Sequence, residues 1–188
     1  MISMSRRSLT AATLLILMAL MTVTALTTPG IAGAQQERVD FNLRSIDGQA
    51  IGTDELRGQV VVLAVGATWL PISRKQAQGV RKLANEYGKR GVVVYFVSTD
   101  SESPKSKNYA SDEQLKAFTR RHDMNVTVLR DPDAAIVRQM GVDQLPAIVI
   151  LDRRGRVYGS PIEGLDPEGN LSEQLSEPLN QLLTRASN

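Results

Sequence analysis

Hydrophobic residues in the middle of the chain fall into continuous runs, which are separated by segments with helical spacing. The β-branched runs at residues 59–65 and 92–98 predict strands that are buried on both faces, as in a parallel sheet. Shorter runs predict strands at 126–129 and 147–151, the second of them paired with 156–158. This alternation predicts a parallel core to which a terminal hairpin adds antiparallel strands.

Helical spacing lies between these predicted strands. Apolar residues recur at helical intervals over residues 72–87 and predict a helix that Gly88 ends. A capping-box pattern, Ser-x-x-Gln, begins at Ser111 and predicts the start of a second helix. Residues 131–141 predict a third helix, with Asp131 as its cap, Pro132 at its first position and Gly141 at its end.

Turn residues mark both ends of this region. Asp47-Gly48 predicts a two-residue hairpin turn between strands at residues 41–46 and 49–51. Leucines over residues 171–183 predict a C-terminal helix, which Pro178 must kink or divide because proline cannot donate a helical hydrogen bond.

The first 34 residues follow a different pattern. The basic pair Arg6-Arg7 precedes an apolar stretch over residues 9–26, and the small residues Ala32-Gly33-Ala34 follow it. This order is typical of a secretory signal peptide, so we expect cleavage between Ala34 and Gln35 and one domain over residues 35–188.

Such a segment predicts export to the periplasm or cell envelope, without stable membrane insertion after cleavage. The paired arginines leave the twin-arginine route open beside the general secretory route. A permanent membrane anchor through residues 9–26 is the alternative, since that stretch is near the lower length limit for a span.

Charge gives no indication of a nucleic-acid partner. The chain has 22 basic and 20 acidic residues, and loss of Arg6 and Arg7 with the signal would leave 20 of each. Aromatic residues make up only 4% of the chain, and none is interleaved with a basic block. We therefore predict no nucleic-acid binding.

Composition also excludes several chemistries. The chain contains no cysteine, so it has no thiol for redox catalysis or for a disulfide. Met124 and Met140 are too few for a thioether metal site. Asp131, Asp133 and Asp143 could gather around a hard cation, but the first two fit the start of the predicted third helix better. The sequence predicts neither a metal nor a cofactor.

The segment after the first buried strand carries Trp69-Leu70-Pro71-Ile72, and large apolar residues on a loop indicate a contact surface. Ser73 could act as a nucleophile only with a general base in reach. The one histidine, His122, is predicted to be a surface residue at a helix end, so the sequence predicts no catalytic triad.

Three segments resemble the thioredoxin-like superfamily, and above all the TlpA-like exported thiol-disulfide oxidoreductases and the AhpC/TSA redoxins. They are residues 54–58, Ala67-Thr68-Trp69, and residues 141–151 with Pro146, and the resemblance spans about residues 39–186. It implies an α/β thioredoxin-like fold, in which helices flank a central mixed sheet with an N-terminal β-hairpin. It also implies a cis Leu145–Pro146 bond.

In this family a Cys-x-x-Cys pair follows the tryptophan, and here Leu70 and Ser73 occupy the two cysteine positions. The basic pair Arg74-Lys75 after it is kept, whereas Gly66 replaces a large residue of the family pattern. The resemblance also implies a groove in which relatives bind an extended polypeptide. The residues of this predicted groove are Trp69, Leu70, Pro71, Ile72, Leu145 and Pro146.

Three functional hypotheses follow. The first is a redox-inactive module that binds an as yet unidentified protein or extended peptide in the predicted groove. The second is the thiol-disulfide oxidoreductase or antioxidant role that the resemblance implies, which the lack of cysteine opposes. The third is a structural subunit of an envelope complex.

Overall fold

A computed structural model describes residues 38–164, 166 and 169–185. The predicted signal peptide and its cleavage site lie outside these residues. The strands are β1 (Asn42–Ser45), β2 (Ala50–Gly52), β3 (Val60–Gly66), β4 (Val92–Ser98), β5 (Thr127–Arg130), β6 (Ala147–Leu151) and β7 (Ile162–Glu163). They form one sheet in the order β2-β1-β5-β4-β3-β6-β7, in which β3, β4 and β5 run parallel. This confirms the predicted mixed sheet.

Helices connect and cover these strands. They are α1 (Ser73–Tyr87), α2 (Asp112–Arg121), α3 (Ala135–Gln139), α4 (Leu171–Gln174) and α5 (Ser176–Thr184), and a short 3-10 helix, Gly88–Arg90, follows α1. Among the described residues, no helix combines the length and the hydrophobicity that crossing a membrane requires.

The core lies on both faces of the sheet. Every residue of β3 is buried, and its side chains alternate between two apolar clusters. Val62 belongs to the cluster that contains Val80 and Leu83 of α1, whereas Leu63 belongs to the cluster that contains Val137 of α3. Burial on both faces explains why β3 is a continuous apolar run rather than an alternating one.

The N-terminal hairpin forms as predicted, with Arg44 paired to Ala50, but its loop is longer than two residues. The loop spans residues 46–49, and Ser45 closes it with its backbone and its side chain. The Ser45 N–H donates to the Gln49 carbonyl at 2.7 Å, the Ser45 carbonyl accepts from the Gly48 N–H at 2.9 Å, and the Ser45 hydroxyl accepts from the Gln49 N–H at 3.0 Å. Gly48 has a φ of 86°, which glycine adopts without strain.

The helix α1 ends at Tyr87 with Gly88 as its C-cap, as predicted, but Gly88 is not left-handed. The chain continues through Gly88 with helical dihedrals and forms the 3-10 helix. The left-handed residue is Gly91, with a φ of 89°. Gly88 therefore ends the α-helix, and Gly91 ends the 3-10 helix that follows it.

The start of α3 differs from the prediction. Ala134 is left-handed with a φ of 51°, so the helix begins at Ala135 and Pro132 lies outside it. Asp131 nevertheless caps the helix as predicted. Its carboxylate oxygens accept from the Ala135 N–H at 3.0 Å and from the Val137 N–H at 2.9 Å.

The C-terminal part is partly as predicted. Leu175 separates α4 from α5, and Pro178 lies in the first turn of α5, where it costs no helical hydrogen bond. Residues 156–158 pair with β6 only through the Leu151–Val157 bridge and one hydrogen bond from the Tyr158 N–H. The strand that continues the sheet beside β6 is β7.

Candidate functional site

The site is built on the segment that leads from β3 into α1, residues 67–73, here named the Trp69 turn. The Leu70 N–H donates to the Ala67 carbonyl at 3.3 Å, and the Ser73 N–H donates to the Leu70 carbonyl at 3.0 Å. The second bond closes a β-turn, which keeps the Cα atoms of Leu70 and Ser73 within about 7 Å of each other. Trp69 is 48% exposed at the outside of the segment.

A buried carboxylate fixes the backbone of the Trp69 turn. Asp100 follows β4 and is fully buried. It accepts hydrogen bonds from the Thr68 N–H at 3.0 Å, the Thr68 hydroxyl at 2.7 Å and the Ser98 hydroxyl at 2.8 Å. Three donors satisfy a carboxylate that would otherwise be costly to bury, and they hold Thr68 rigidly next to Trp69.

Asp100 is a residue that sequence reasoning missed. Its segment, residues 100–111, is polar and aperiodic, and such a pattern is typical of a surface loop rather than of a buried side chain. The signal in the sequence was an aspartate that follows, by two residues, the end of a strand buried on both faces. At that place a side chain lies near the carboxyl end of the neighbouring parallel strand.

Ser73 begins α1, and its hydroxyl donates to the Thr68 carbonyl at 3.2 Å. The residue is 9% exposed. Among the described residues, no hydrogen bond joins Ser73 to His122. The Ser73 hydroxyl thus forms a hydrogen bond with the backbone of the same turn.

His122 is half-buried rather than a fully exposed surface residue. It follows α2, and the edge of its ring meets Phe118 with 4.7 Å between the ring centroids. Burial lowers the pKa of the imidazole below its usual value, and the charges of Arg121 and Arg74 lower it further, against an opposing effect of Asp123. A neutral imidazole near pH 7 follows.

Gln76 explains why residue 66 is a glycine. The side chain of Gln76 is buried, and its amide N–H donates to the Val65 carbonyl at 2.8 Å. A Cβ on Gly66 would lie only 2.1 Å from the Gln76 Oε1. The glutamine amide therefore occupies the space that a larger residue at position 66 would need.

The second segment of the predicted groove lies at the same end of β3. The Leu145–Pro146 bond is cis, as predicted. Val65 of β3 pairs with Ala147 of β6, so the antiparallel register places Pro146 opposite Gly66. Pro146 is buried and Leu145 is half-buried, whereas Pro71 is exposed. That the six residues line one groove stays a prediction.

A metal site is not supported within the described residues, where no three His, Asp or Glu side chains gather as ligands. Asp131 is committed to its helix cap. The exposed Asp143 donates its backbone N–H to the carboxylate of Glu163.

Residues 34–160 match the model of the AhpC/TSA family. Thioredoxin-like protein YneN of Bacillus subtilis is 28% identical over 120 residues, which are 64% of this chain and 66% of that protein. Thiol-disulfide oxidoreductase ResA of Halalkalibacterium halodurans is 22% identical over 153 residues, which are 81% of this chain and 78% of that protein.

A solved structure with the same fold is that of the exposed lipoprotein thioredoxin Etrx1 from Streptococcus pneumoniae. It superposes with a TM-score of 0.57 at 26% identity, over 73% of this chain and 98% of that chain. The likeness agrees with a mixed sheet flanked by helices.

Proposed function

Since this chain belongs to the AhpC/TSA family and contains no cysteine, we propose that it is a redox-inactive member that binds a protein or extended peptide. The observation that carries the proposal is the Trp69 turn. Its backbone is closed and anchored at the start of α1, while Leu70 and Ser73 stand where the family resemblance places sulfur.

Redox inactivity is argued from chemistry. Thiol-disulfide exchange and peroxide reduction both begin with attack by a thiolate. Leu70 has no ionisable group. The Ser73 hydroxyl would need a general base, yet it donates to the Thr68 carbonyl and has no described bond to His122.

Binding is argued from exposure and rigidity. Trp69 is 48% exposed and Pro71 is exposed beside it, so the turn presents apolar surface to solvent. The bonds from Thr68 to Asp100 fix the backbone next to this surface. A fixed backbone lowers the entropy that is lost on binding, and tryptophan is enriched among residues that dominate binding energies.

Export forms part of the proposal. It is supported by the basic, apolar and Ala-x-Ala pattern of residues 1–34. It is also supported by the similarity to Etrx1, which is named an exposed lipoprotein.

The test uses Trp69 as its own probe, because it is the only tryptophan in the chain. A suitable ligand is a tryptophan-free unfolded polypeptide, such as reduced and carbamidomethylated insulin B chain. We expect its addition to shift Trp69 emission to shorter wavelength and Trp69→Ala to abolish the binding measured by calorimetry. Tyr158→Phe, which removes only a hydroxyl elsewhere, serves as the control.

The competing hypothesis is the thiol-disulfide activity that the name of the ResA relative describes. Insulin reduction by dithiothreitol separates the two. We expect no turnover above the rate in buffer for the wild-type protein. A protein-dependent rate, or an unchanged affinity in Trp69→Ala, would contradict the proposed function.

A further inference from the structure

A concave pocket of about 290 Å³ borders the Trp69 turn. Its lining includes Thr68, Tyr109, Gln114, Phe118 and Arg121, and we name it the Arg121 pocket. Among the described residues, the exposed large hydrophobic side chains are Trp69 and Tyr109. Tyr109 lines the pocket, and Trp69 is the next residue along the chain after Thr68 of its wall.

The polar groups of the Arg121 pocket are mainly donors. Arg121 forms no ion pair with any described carboxylate, and no carboxylate lines the pocket. The Gln114 Oε1 already accepts from the Ser111 N–H at 2.8 Å, which leaves the amide N–H groups of Gln114 for a ligand. The Thr68 hydroxyl proton is committed to Asp100. The pocket therefore combines a cation and amide donors with aromatic walls.

We propose that the Arg121 pocket receives the side-chain carboxylate of an acidic residue in the extended segment that binds at Trp69. This inference rests on the proposed function and specifies the chemistry of the partner. Arg121 and Gln114 donate hydrogen bonds to the carboxylate, and such charge-assisted bonds are about twice as strong as neutral ones. Tyr109 and Phe118 contact the methylene groups of the acidic side chain.

The surroundings favour one carboxylate over an extended anionic surface. Tyr109 also lines an adjoining pocket, whose walls carry Glu102, Asp112 and Glu113. Glu102 and Asp112 are paired with arginines, but Glu113 is exposed and is not in a described ion pair. A bilayer or nucleic acid large enough to cover both pockets would approach these acids, whereas a single side chain avoids them.

The first experiment screens an array of random heptapeptides with three proteins. They are the wild type, Arg121→Gln, and the matched control Arg120→Gln, whose arginine is adjacent and exposed but does not line the pocket. We expect Asp and Glu to be enriched among the peptides bound by the wild type and by Arg120→Gln. The enrichment disappears in Arg121→Gln.

The second experiment titrates the best-bound peptide and its Glu→Gln analogue, with Trp69 emission as the readout. For the wild type we expect the analogue to bind about tenfold more weakly, as loss of one charge-assisted bond implies. For Arg121→Gln the two peptides bind equally.

The possible results of these experiments separate the inference from the proposed function. Binding without an acidic preference, or the same preference in Arg121→Gln, overturns this inference and leaves the proposed function standing. An absence of binding to any peptide overturns both. If Trp69 emission responds to phosphatidylglycerol vesicles and to no array peptide, the surface belongs to a membrane, and the acidic-peptide assignment is wrong.

Discussion

Leu70 and Ser73 lie three residues apart at the entry to α1, where the Ser73 N–H donates to the Leu70 carbonyl at 3.0 Å. The backbone around them supplies what a reactive thiol needs. Unpaired N–H groups of the helix N-terminus and the neighbouring charge of Arg74 both favour an anion at residue 70. We therefore infer that two side chains, rather than the backbone, distinguish this turn from a redox-active one.

The double substitution Leu70→Cys with Ser73→Cys should therefore form an intramolecular disulfide under mild oxidation. Their Cα separation in a β-turn is compatible with disulfide geometry. We expect the pKa of the Cys introduced at residue 70 to fall below the ordinary value of about 8.5. Thiol titration, followed by insulin reduction, measures both effects.

The matched control pairs Leu70→Cys with Gln78→Cys, which places the second thiol on an exposed position more than one turn further along α1. This control should stay reduced within the molecule. Failure of the first pair to cross-link would contradict the assignment of the Trp69 turn as a redox-type turn without its sulfurs.

At the scale of elements, contacts between strands and helices position the turn. Gln76 of α1 lies against Gly66 of β3, and Asp100 behind β4 holds Thr68. An ionic network lines the pocket that adjoins the Arg121 pocket at Tyr109. In it, Arg44 of β1 pairs with Asp112 of α2, and Arg130 of β5 pairs with Glu102.

Gly66→Ala should destabilise the protein by about 1 to 3 kcal/mol, because the new methyl group overlaps the buried amide of Gln76. Combining it with Gln76→Ala should recover part of this loss, which a double-mutant cycle by urea denaturation measures. Gly88→Ala is the control. Its Cβ would meet nothing within 4 Å and its φ is −57°, so stability should stay equal or rise. Equal losses at both glycines would argue against the Gln76 contact.

Asp112 should make stability depend on pH in the acid range. The hydrogen bond from Arg44 is the main cause that lowers the pKa of Asp112 below its usual value. A carboxyl with a lowered folded-state pKa stabilises the fold above its unfolded pKa of about 3.9, and this contribution is lost as pH falls through the folded pKa.

Asp112→Asn should therefore reduce stability near pH 7 by about 1 kcal/mol and have a smaller effect near pH 2. Urea denaturation at the two pH values is the measurement. Glu113→Gln alters a neighbouring exposed carboxylate that takes part in no described ion pair, and it should change little at either pH. An identical loss for Asp112→Asn at both pH values would show that the Arg44 pair contributes nothing through charge.

At the scale of the whole molecule, the prediction concerns export. Residues 1–34 contain two arginines and no acidic residue, so their removal changes the formal net charge from +2 to zero. Mass spectrometry of protein from the envelope fraction should show Gln35 as the first residue, in its cyclised form. Retention of residues 1–34 on the exported protein would instead support a membrane anchor.

The sequence by itself determined those features that depend on neighbouring residues. Continuous β-branched runs predicted β3 and β4 because burial on both faces needs apolar side chains at every position. The capping box at Ser111 is confirmed, since both of its hydrogen bonds join residues three apart. The motif at Ala67-Thr68-Trp69 indicated the fold and located the turn.

Only the tertiary structure decided how that turn is held and what borders it. Asp100 and Thr68 are 32 residues apart, and their bonds exist because β3 and β4 run parallel and end at the same edge. The contact of Gln76 with Gly66 and the convergence of Thr68, Tyr109 and Arg121 on one pocket require elements to pack. Such contacts produce no periodic pattern in the sequence, because each joins residues that are distant along the chain and that the folded sheet brings together.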